Sequence, residues 1–511
     1  DMEVELLEFL MKPESYPHGV TRVQHVETHI SHVFLTGEFA YKFKKDVRFD
    51  FLDFSTLEKR KYYCERELTL NRRYASELYL SLVVVSKGKS GFYISPLPAP
   101  DNAVEFAVKM QQFNSEDLFS TMLEQGRLTE AILHKAISKI AEFHSEAACK
   151  PGNWNYEEVQ GVFVDNIKEL RTFVPDLVED STLGLIEKFL REELKRQKPL
   201  ITSRSAHFVK AVHGDLHLGN ICLFQGKTLP FDGIEFNEQL STCDVIADIA
   251  FLIMDLLARG QHALATSSRN RYLELSGDYQ GATLLPLYIC YRALVRAKVA
   301  CLKSSQHPEQ RDTLLKEINC YLQLAHSYVE TKKPWLLSIG GLSGTGKTTL
   351  SKLLAKQTGA FHLRSDVLRK HLAGISPEQR GTAEIYKKEM SESTYRELYS
   401  LARTLLALGQ PVILDAVFQE APERKAAEQL ATDLGVPFYG VWCEVEKAVA
   451  KSRLQNRKND ASDADEAVLE QQLKSSLGQV TWMRLDNTPA PEVVIQDLSE
   501  TTLSSILSEN R

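Results

Sequence analysis

The sequence predicts a mixed α/β and α+β chain made of two unrelated units. Three observations predict it. Gly341-Leu342-Ser343-Gly344-Thr345-Gly346-Lys347-Thr348 lies between a short apolar run and a leucine-periodic stretch. A second polar string, His213-Gly214-Asp215-Leu216-His217-Leu218-Gly219-Asn220, follows another apolar run, Phe208 to Val212, well upstream. Between the two, helical patterns over Leu284 to Leu302 and Arg311 to Val329 end at Lys332-Lys333-Pro334, where proline disfavours helix at the residue before it. That seam predicts a large unit over residues 1–332, with lobes of about 1–110 and 111–332, and an α/β domain over residues 333–511.

Composition bounds the function. The chain has 511 residues, 43% hydrophobic and 25% charged, which is ordinary for folded globular protein. The 61 Lys and Arg against 68 Asp and Glu leave a net charge of −7, and neither half is basic. Bulk attraction to nucleic acid or anionic membrane is therefore not expected, although a local basic cleft stays open. Eight cysteines form no C-x-x-C pair, which argues against a zinc ribbon or thioredoxin-like site and for a reduced, cytoplasmic protein. The most apolar stretch, Ile246 to Leu257, is interrupted by Asp248 and Asp255, so no membrane span is expected.

The glycine-rich string fits G-x-x-x-x-G-K-[ST] in full. Glycines let backbone N–H groups turn inward around phosphate oxygens, which makes Gly341, Ser343, Gly344, Thr345 and Gly346 the expected cradle, with Thr349 at the following helix start. Lys347 is expected on the β- and γ-phosphates and the Thr348 hydroxyl on Mg²⁺. Leu350, Leu353 and Leu354 mark the helix whose N-terminus faces the anion. Phe361 to Leu363 reads as a second strand. Asp366 follows it as a candidate base, and Arg369, one turn on, as a clamp for an anionic acceptor. Val412-Ile413-Leu414-Asp415 is a buried strand ending in a carboxylate for Mg²⁺. Arg453 and Arg457 are four apart on a later helix, as a lid closing on transferring phosphate needs.

These features resemble the small P-loop kinases related to gluconate kinase, the zeta toxins and polynucleotide 5′-hydroxyl kinases. The resemblance covers most of residues 335–485. It implies ATP (or GTP) and Mg²⁺ as cofactors, Asp366 as base and Arg369 as acceptor clamp. It does not choose among acceptors.

The upstream string has a different logic. An Asp with an Asn five residues later is the spacing H-x-D-x-x-x-x-N, in which Asp215 orients and deprotonates an acceptor hydroxyl and Asn220 holds Mg²⁺. Twelve residues past Asn220, Phe231-Asp232-Gly233 ends a short strand and offers a second metal carboxylate. His213 is expected as a hydrogen-bonding residue of the loop. Ala40-Tyr41-Lys42-Phe43-Lys44 alternates, so Lys42 and Lys44 share a strand face. The helix from Leu57 to Tyr74 offers Glu65 and Glu67 as partners for such a lysine, with Glu67 the better placed.

This string resembles the catalytic loop of the aminoglycoside phosphotransferase and choline kinase superfamily, relatives of the protein kinases. The resemblance implies Lys42 on the α/β-phosphates, with Lys44 second, Glu67 as its ion-pair partner, and Asp244 or Asp248 as a brace for the loop. No G-x-G-x-x-G precedes Lys42. The whole chain is similar to bacterial fusions of an aminoglycoside phosphotransferase-like domain with a P-loop kinase. That implies a bifunctional kinase acting on hydroxyls of a small metabolite. Two other readings stand beside it: end-phosphorylation of nucleotide or polynucleotide by the P-loop half, and a nucleotide-sensing half that regulates the other or acts on a protein.

Overall fold

A computed structural model describes residues 2–330, 332–457 and 460–508. The chain divides into two compact units, residues 1–165 with 194–255, and residues 166–193 with 256–511. The seam at residue 332 thus falls inside the second unit, where the helices preceding it are grouped with the sheet that follows.

The first unit holds a six-stranded antiparallel sheet. Its strands are β1 (Gln24–Glu27), β2 (Ser31–Leu35), β3 (Phe39–Lys44), β4 (Tyr79–Gly88), β5 (Gly91–Pro96) and β6 (Ala103–Gln111), in the order β1-β2-β3-β6-β4-β5. The alternation in β3 sorts its side chains. Tyr41 and Phe43 are buried with Phe34, Leu6 and Leu10 on one face. Ala40 packs on the other with Cys64 and Tyr74 of α1 (Leu57–Ala75), and Lys42 and Lys44 share that face. Helix α1 starts where the Thr56 hydroxyl accepts the Lys59 N–H at 3.1 Å. A two-stranded ribbon of β7 (Ile221–Phe224) and β8 (Lys227–Pro230) joins the two expected motifs. Helix α2 (Val245–Ala258) is apolar almost throughout, yet buries Asp248 and Asp255.

The second unit contains a five-stranded, wholly parallel sheet. Its strands are β9 (Leu336–Gly340), β10 (Phe361–Arg364), β11 (Val412–Asp415), β12 (Phe438–Glu444) and β13 (Met483–Asp486), in the order β10-β11-β9-β12-β13. Leu337, Ile339 and Ile413 bury one sheet face against Leu350 and Leu354 of α4 (Lys347–Thr358). Parallel strands all end at one edge, and the register sets Ile339 and Arg364 beside Asp415 there. Strand β10 lies at the sheet edge, and α3 (His262–Ser276) covers it. Asn270 of α3 donates to the Ala360 carbonyl at 3.2 Å, and Arg269 donates to the same oxygen at 2.7 Å. The Arg269 guanidinium also lies 3.6 Å over the Phe361 ring.

Among the described residues the eight cysteines form no disulfide. Among the described residues, no helix is long and apolar enough to cross a membrane.

Candidate active sites

In the first unit, Lys42 and Lys44 both reach Glu67. The Lys42 ammonium lies 3.2 Å from Glu67 and 2.6 Å from Asp232, and Lys44 lies 2.8 Å from Glu67 and 2.6 Å from Glu235. The site is therefore a ladder of alternating charge, in which Glu67 is fully buried. Burial works to raise the Glu67 carboxyl, but the two ammonium groups overcome it and hold it at about 2. Burial likewise opposes the charge of Lys42, while Asp232 and Glu67 push its pKa well above the ordinary lysine value. Glu65 is exposed and takes no part.

The loop 213–220 is fastened to the strand before Asp232. His213 Nδ1 accepts the Asp215 N–H at 3.1 Å, so Nε2 carries the proton and donates it to the Phe231 carbonyl at 2.6 Å. The Phe231 N–H donates to Asn220 O, and the Ile234 N–H to His213 O, each at 2.9 Å. Asn220 Nδ2 donates to Asp215 Oδ2 and to the Asp215 carbonyl, each at 2.9 Å. His217 accepts the Gly219 N–H through Nδ1, leaving protonated Nε2 at 3.4 Å from Asp215 Oδ2. Asp232 takes φ +60°, and a Cβ on Gly233 would meet the Tyr74 hydroxyl at 2.0 Å, so glycine is required after it.

The brace comes from α2. Asp248 accepts the N–H groups of His213 (3.3 Å) and Gly214 (2.9 Å) and a hydrogen bond from His144 Nε2 (2.8 Å). Burial works to raise its carboxyl, but His144 and His213 hold it at about 2. Asp255, two turns on, accepts the Leu218 N–H at 2.9 Å. Asp244 is committed elsewhere, to a two-pronged pair with buried Arg204 at 2.7 and 2.9 Å.

In the second unit the glycine-rich loop runs from β9 into α4. Gly341, Gly344 and Gly346 all have positive φ, and a Cβ at Gly346 would meet Asn487 at 2.6 Å and Arg453 at 2.9 Å. Thr348 Oγ1 donates to Asp415 Oδ2 at 2.9 Å, joining the two residues expected on the metal. Burial would raise Asp415, but His362 Nε2 at 2.9 Å, with Arg364 and Lys347 near, holds it at about 2. Lys347 is half-buried, and among the described residues no carboxylate lies within ion-pair distance of it. Burial pushes its ammonium below the ordinary lysine value, against the pull of Asp415 and Asp366. A partly desolvated cation with no paired carboxylate suits an anionic ligand. Ser343, Thr345 and Thr349 keep their expected places in the loop and helix start; the Ser343 N–H is bound by Gln472 Oε1 at 2.9 Å.

The acceptor and lid residues lie around this cradle. Asp366, half-buried in the first turn of α5 (Ser365–Leu372), is close enough to influence Lys347 and Tyr386. Arg369 turns toward 385–391, donating to Ser391 Oγ at 2.7 Å and Ile385 O at 3.3 Å. The two lid arginines do not share a helix as expected, because the helix bearing Arg453 ends at Gln455 and Arg457 lies past it. Arg453 donates to the carbonyls of Asn487 (2.8 Å) and Thr488 (3.2 Å) beside the loop, whereas Arg457 lies 3.6 Å from Asp460.

Several residues at these sites escape sequence reasoning. Glu235 and Asp255 are two, although an Asp every second turn of an apolar helix is a signal for the latter. In the second unit the buried Arg364 guanidinium sits 2.8 Å from Asp460, 3.7 Å from Glu274 and 3.9 Å from Asp415. Glu274 comes from α3 and anchors Arg364 beside Asp415.

Residues 336–476 match a family model described as an AAA domain. The chain is 31% identical over 447 residues to the uncharacterized protein Rv2004c of Mycobacterium tuberculosis, covering 86% of this chain and 87% of that one. The same values hold for the uncharacterized protein Mb2027c of Mycobacterium bovis. Among solved structures it is similar to a putative kinase from Chloroflexus aurantiacus (19% identity, 36% of this chain and 100% of that chain, TM-score 0.29). It is also similar to a choline/ethanolamine kinase family protein from Mesorhizobium loti (11% identity, 63% of this chain and 100% of that chain, TM-score 0.39).

Proposed function

We infer that this chain, which belongs to the family of the mycobacterial protein Rv2004c, is an ATP-dependent phosphotransferase with two Mg-nucleotide sites that phosphorylate hydroxyl groups of a small metabolite. The observation that carries the reading is the half-buried, carboxylate-free Lys347 beside the Thr348–Asp415 pair, at the mouth of a loop with three positive-φ glycines. The donor sets fit the metal: Asn220 with Asp232, and Thr348 with Asp415, are oxygen donors suited to a hard cation such as Mg²⁺. Bound there, Mg²⁺ would neutralise phosphate charge.

The chain's own residues supply the rest. In the first unit Asp215, steadied by Asn220 and His217, takes the proton of the acceptor hydroxyl, and Lys42, aligned by Glu67, binds the α/β-phosphates. In the second unit Lys347 and the loop N–H groups bind the phosphates, Asp366 is the base, and Arg369 lies one turn on at the acceptor side. Arg453 and Arg457 add positive charge at the loop mouth. The acidic balance of the chain favours a metabolite over a nucleic acid.

The experiment is a mass-shift screen of a metabolite extract with ATP. Wild type should convert at least one hydroxyl-bearing metabolite, and Asp215→Ala and Lys347→Ala should each remove a different part of that conversion. Hydrolysis or transfer that survives the double variant unchanged would refute the reading.

A further inference from the structure

Outside both sites, on β1 and β2, three metal-ligating side chains converge. His25 and Glu27 alternate on β1, and His32 of β2 is the cross-strand register partner of Glu27, so all three project from one sheet face. One ligand atom from each lies within 4.8 Å of the others. His25 Nε2 and His32 Nδ1 are 2.9 Å apart, and the two rings stack at 25° with centroids 5.1 Å apart. His25 is held from behind by Phe34, whose ring lies parallel at 4.8 Å. His32 is only 5% exposed, and its Nε2 has no hydrogen-bond partner. The facing nitrogens are in hydrogen-bond contact, and a divalent cation can replace that contact by taking one lone pair from each ring, each neutral imidazole keeping its proton on its other nitrogen.

From this juxtaposition we propose that His25, Glu27 and His32 form a transition-metal site on the hairpin of β1 and β2. Two imidazoles and one carboxylate select a borderline cation of the zinc class over Mg²⁺, and three protein ligands leave a position for water. The site has a structural use. Strand β1 is the sheet edge, four residues long and largely exposed, and among the described residues β2 alone pairs with it. A metal bridging the two strands pins that edge beside the Thr28–Ile30 turn. A competitor is built in: Lys45 lies 2.5 Å from Glu27 Oε1 and must yield that oxygen or share the carboxylate.

The test is titration of the full chain with Zn²⁺ alone, in excess Mg²⁺ to occupy oxygen-donor sites, against a chromogenic zinc chelator. Wild type should hold one more zinc ion than His25→Ala. Glu27→Gln, at an exposed position where folding is not at stake, should weaken that zinc by about tenfold or more. Lys45→Met should tighten it. Equal zinc stoichiometry and affinity in wild type and Glu27→Gln, or in wild type and a folded His25→Ala, would overturn the proposal. Neither variant touches the phosphotransfer sites, so the result stands apart from the functional reading above.

Discussion

The carboxylates in the first unit's site already have their cations, whereas in the second the key cation has no carboxylate. Lys42 is clasped between Glu67 and Asp232, and Lys44 between Glu67 and Glu235. Lys347 is half-buried, and it donates to the Leu342 carbonyl across a long 3.4 Å contact. The difference follows from the architecture. An antiparallel sheet with a facing loop can bring side chains of both signs together, because strand, helix and hairpin each contribute one. A parallel sheet ending in a glycine-rich turn presents N–H groups instead, and these need no counter-charge until an anion arrives. The first site is therefore ordered by internal ion pairs, and the second by backbone conformation.

Mutation can break this comparison. The largest expected effect is on the groups that touch the reacting atoms. Asp215→Ala should remove the first unit's transfer activity, and Lys347→Ala the second's, each by roughly 10³-fold with the other spared. Rates measured for the two products separately decide this, and loss of both activities in either variant would mean that the sites are not independent. Asp366→Asn should slow transfer in the second unit by about 10²-fold with nucleotide affinity unchanged, as removal of a general base does. Isothermal titration with a non-hydrolysable nucleotide separates the two quantities.

A smaller effect is expected one layer out. Glu274→Gln should weaken the hold on Arg364 and lower kcat of the second unit about tenfold, in the range found for outer-shell partners. A change confined to melting temperature would make Glu274 a purely structural residue. The smallest effect is on stability. Asp248 is held at about 2, below the ordinary aspartate value. Its stabilisation is therefore complete above about pH 4, is lost as pH falls through about 2, and amounts to roughly 2 kcal/mol. Urea unfolding of Asp248→Asn should show that deficit at pH 7, and the gap from wild type should narrow toward pH 2.

Much of this was legible because the chemistry is contiguous. The loop 341–348 and the string 213–220 carry their spacing in the sequence, and alternation in β3 put Lys42 and Lys44 on one face. What stayed hidden depends on contacts distant in sequence. Arg453 and Arg457 share a helical spacing, yet the helix ends at Gln455, so Arg453 is held by the Asn487 and Thr488 carbonyls while Arg457 lies past the helix beside Asp460. Asp255 reads as a break in an apolar run until Leu218 is seen to donate to it. Glu274 lies before the Lys332–Pro334 seam, so no local pattern links it to Arg364. Pro334 marks where a strand begins, but α3 is grouped with the later sheet through Asn270 and Arg269.

The central claim is that two chemically separate phosphotransfer sites reside in one chain. The most direct measurement follows γ-labelled ATP into products with Asp215→Ala and Lys347→Ala side by side. The account predicts that each variant keeps one labelled product that the other lacks. Identical product sets in the two variants, or no product in either, would contradict it.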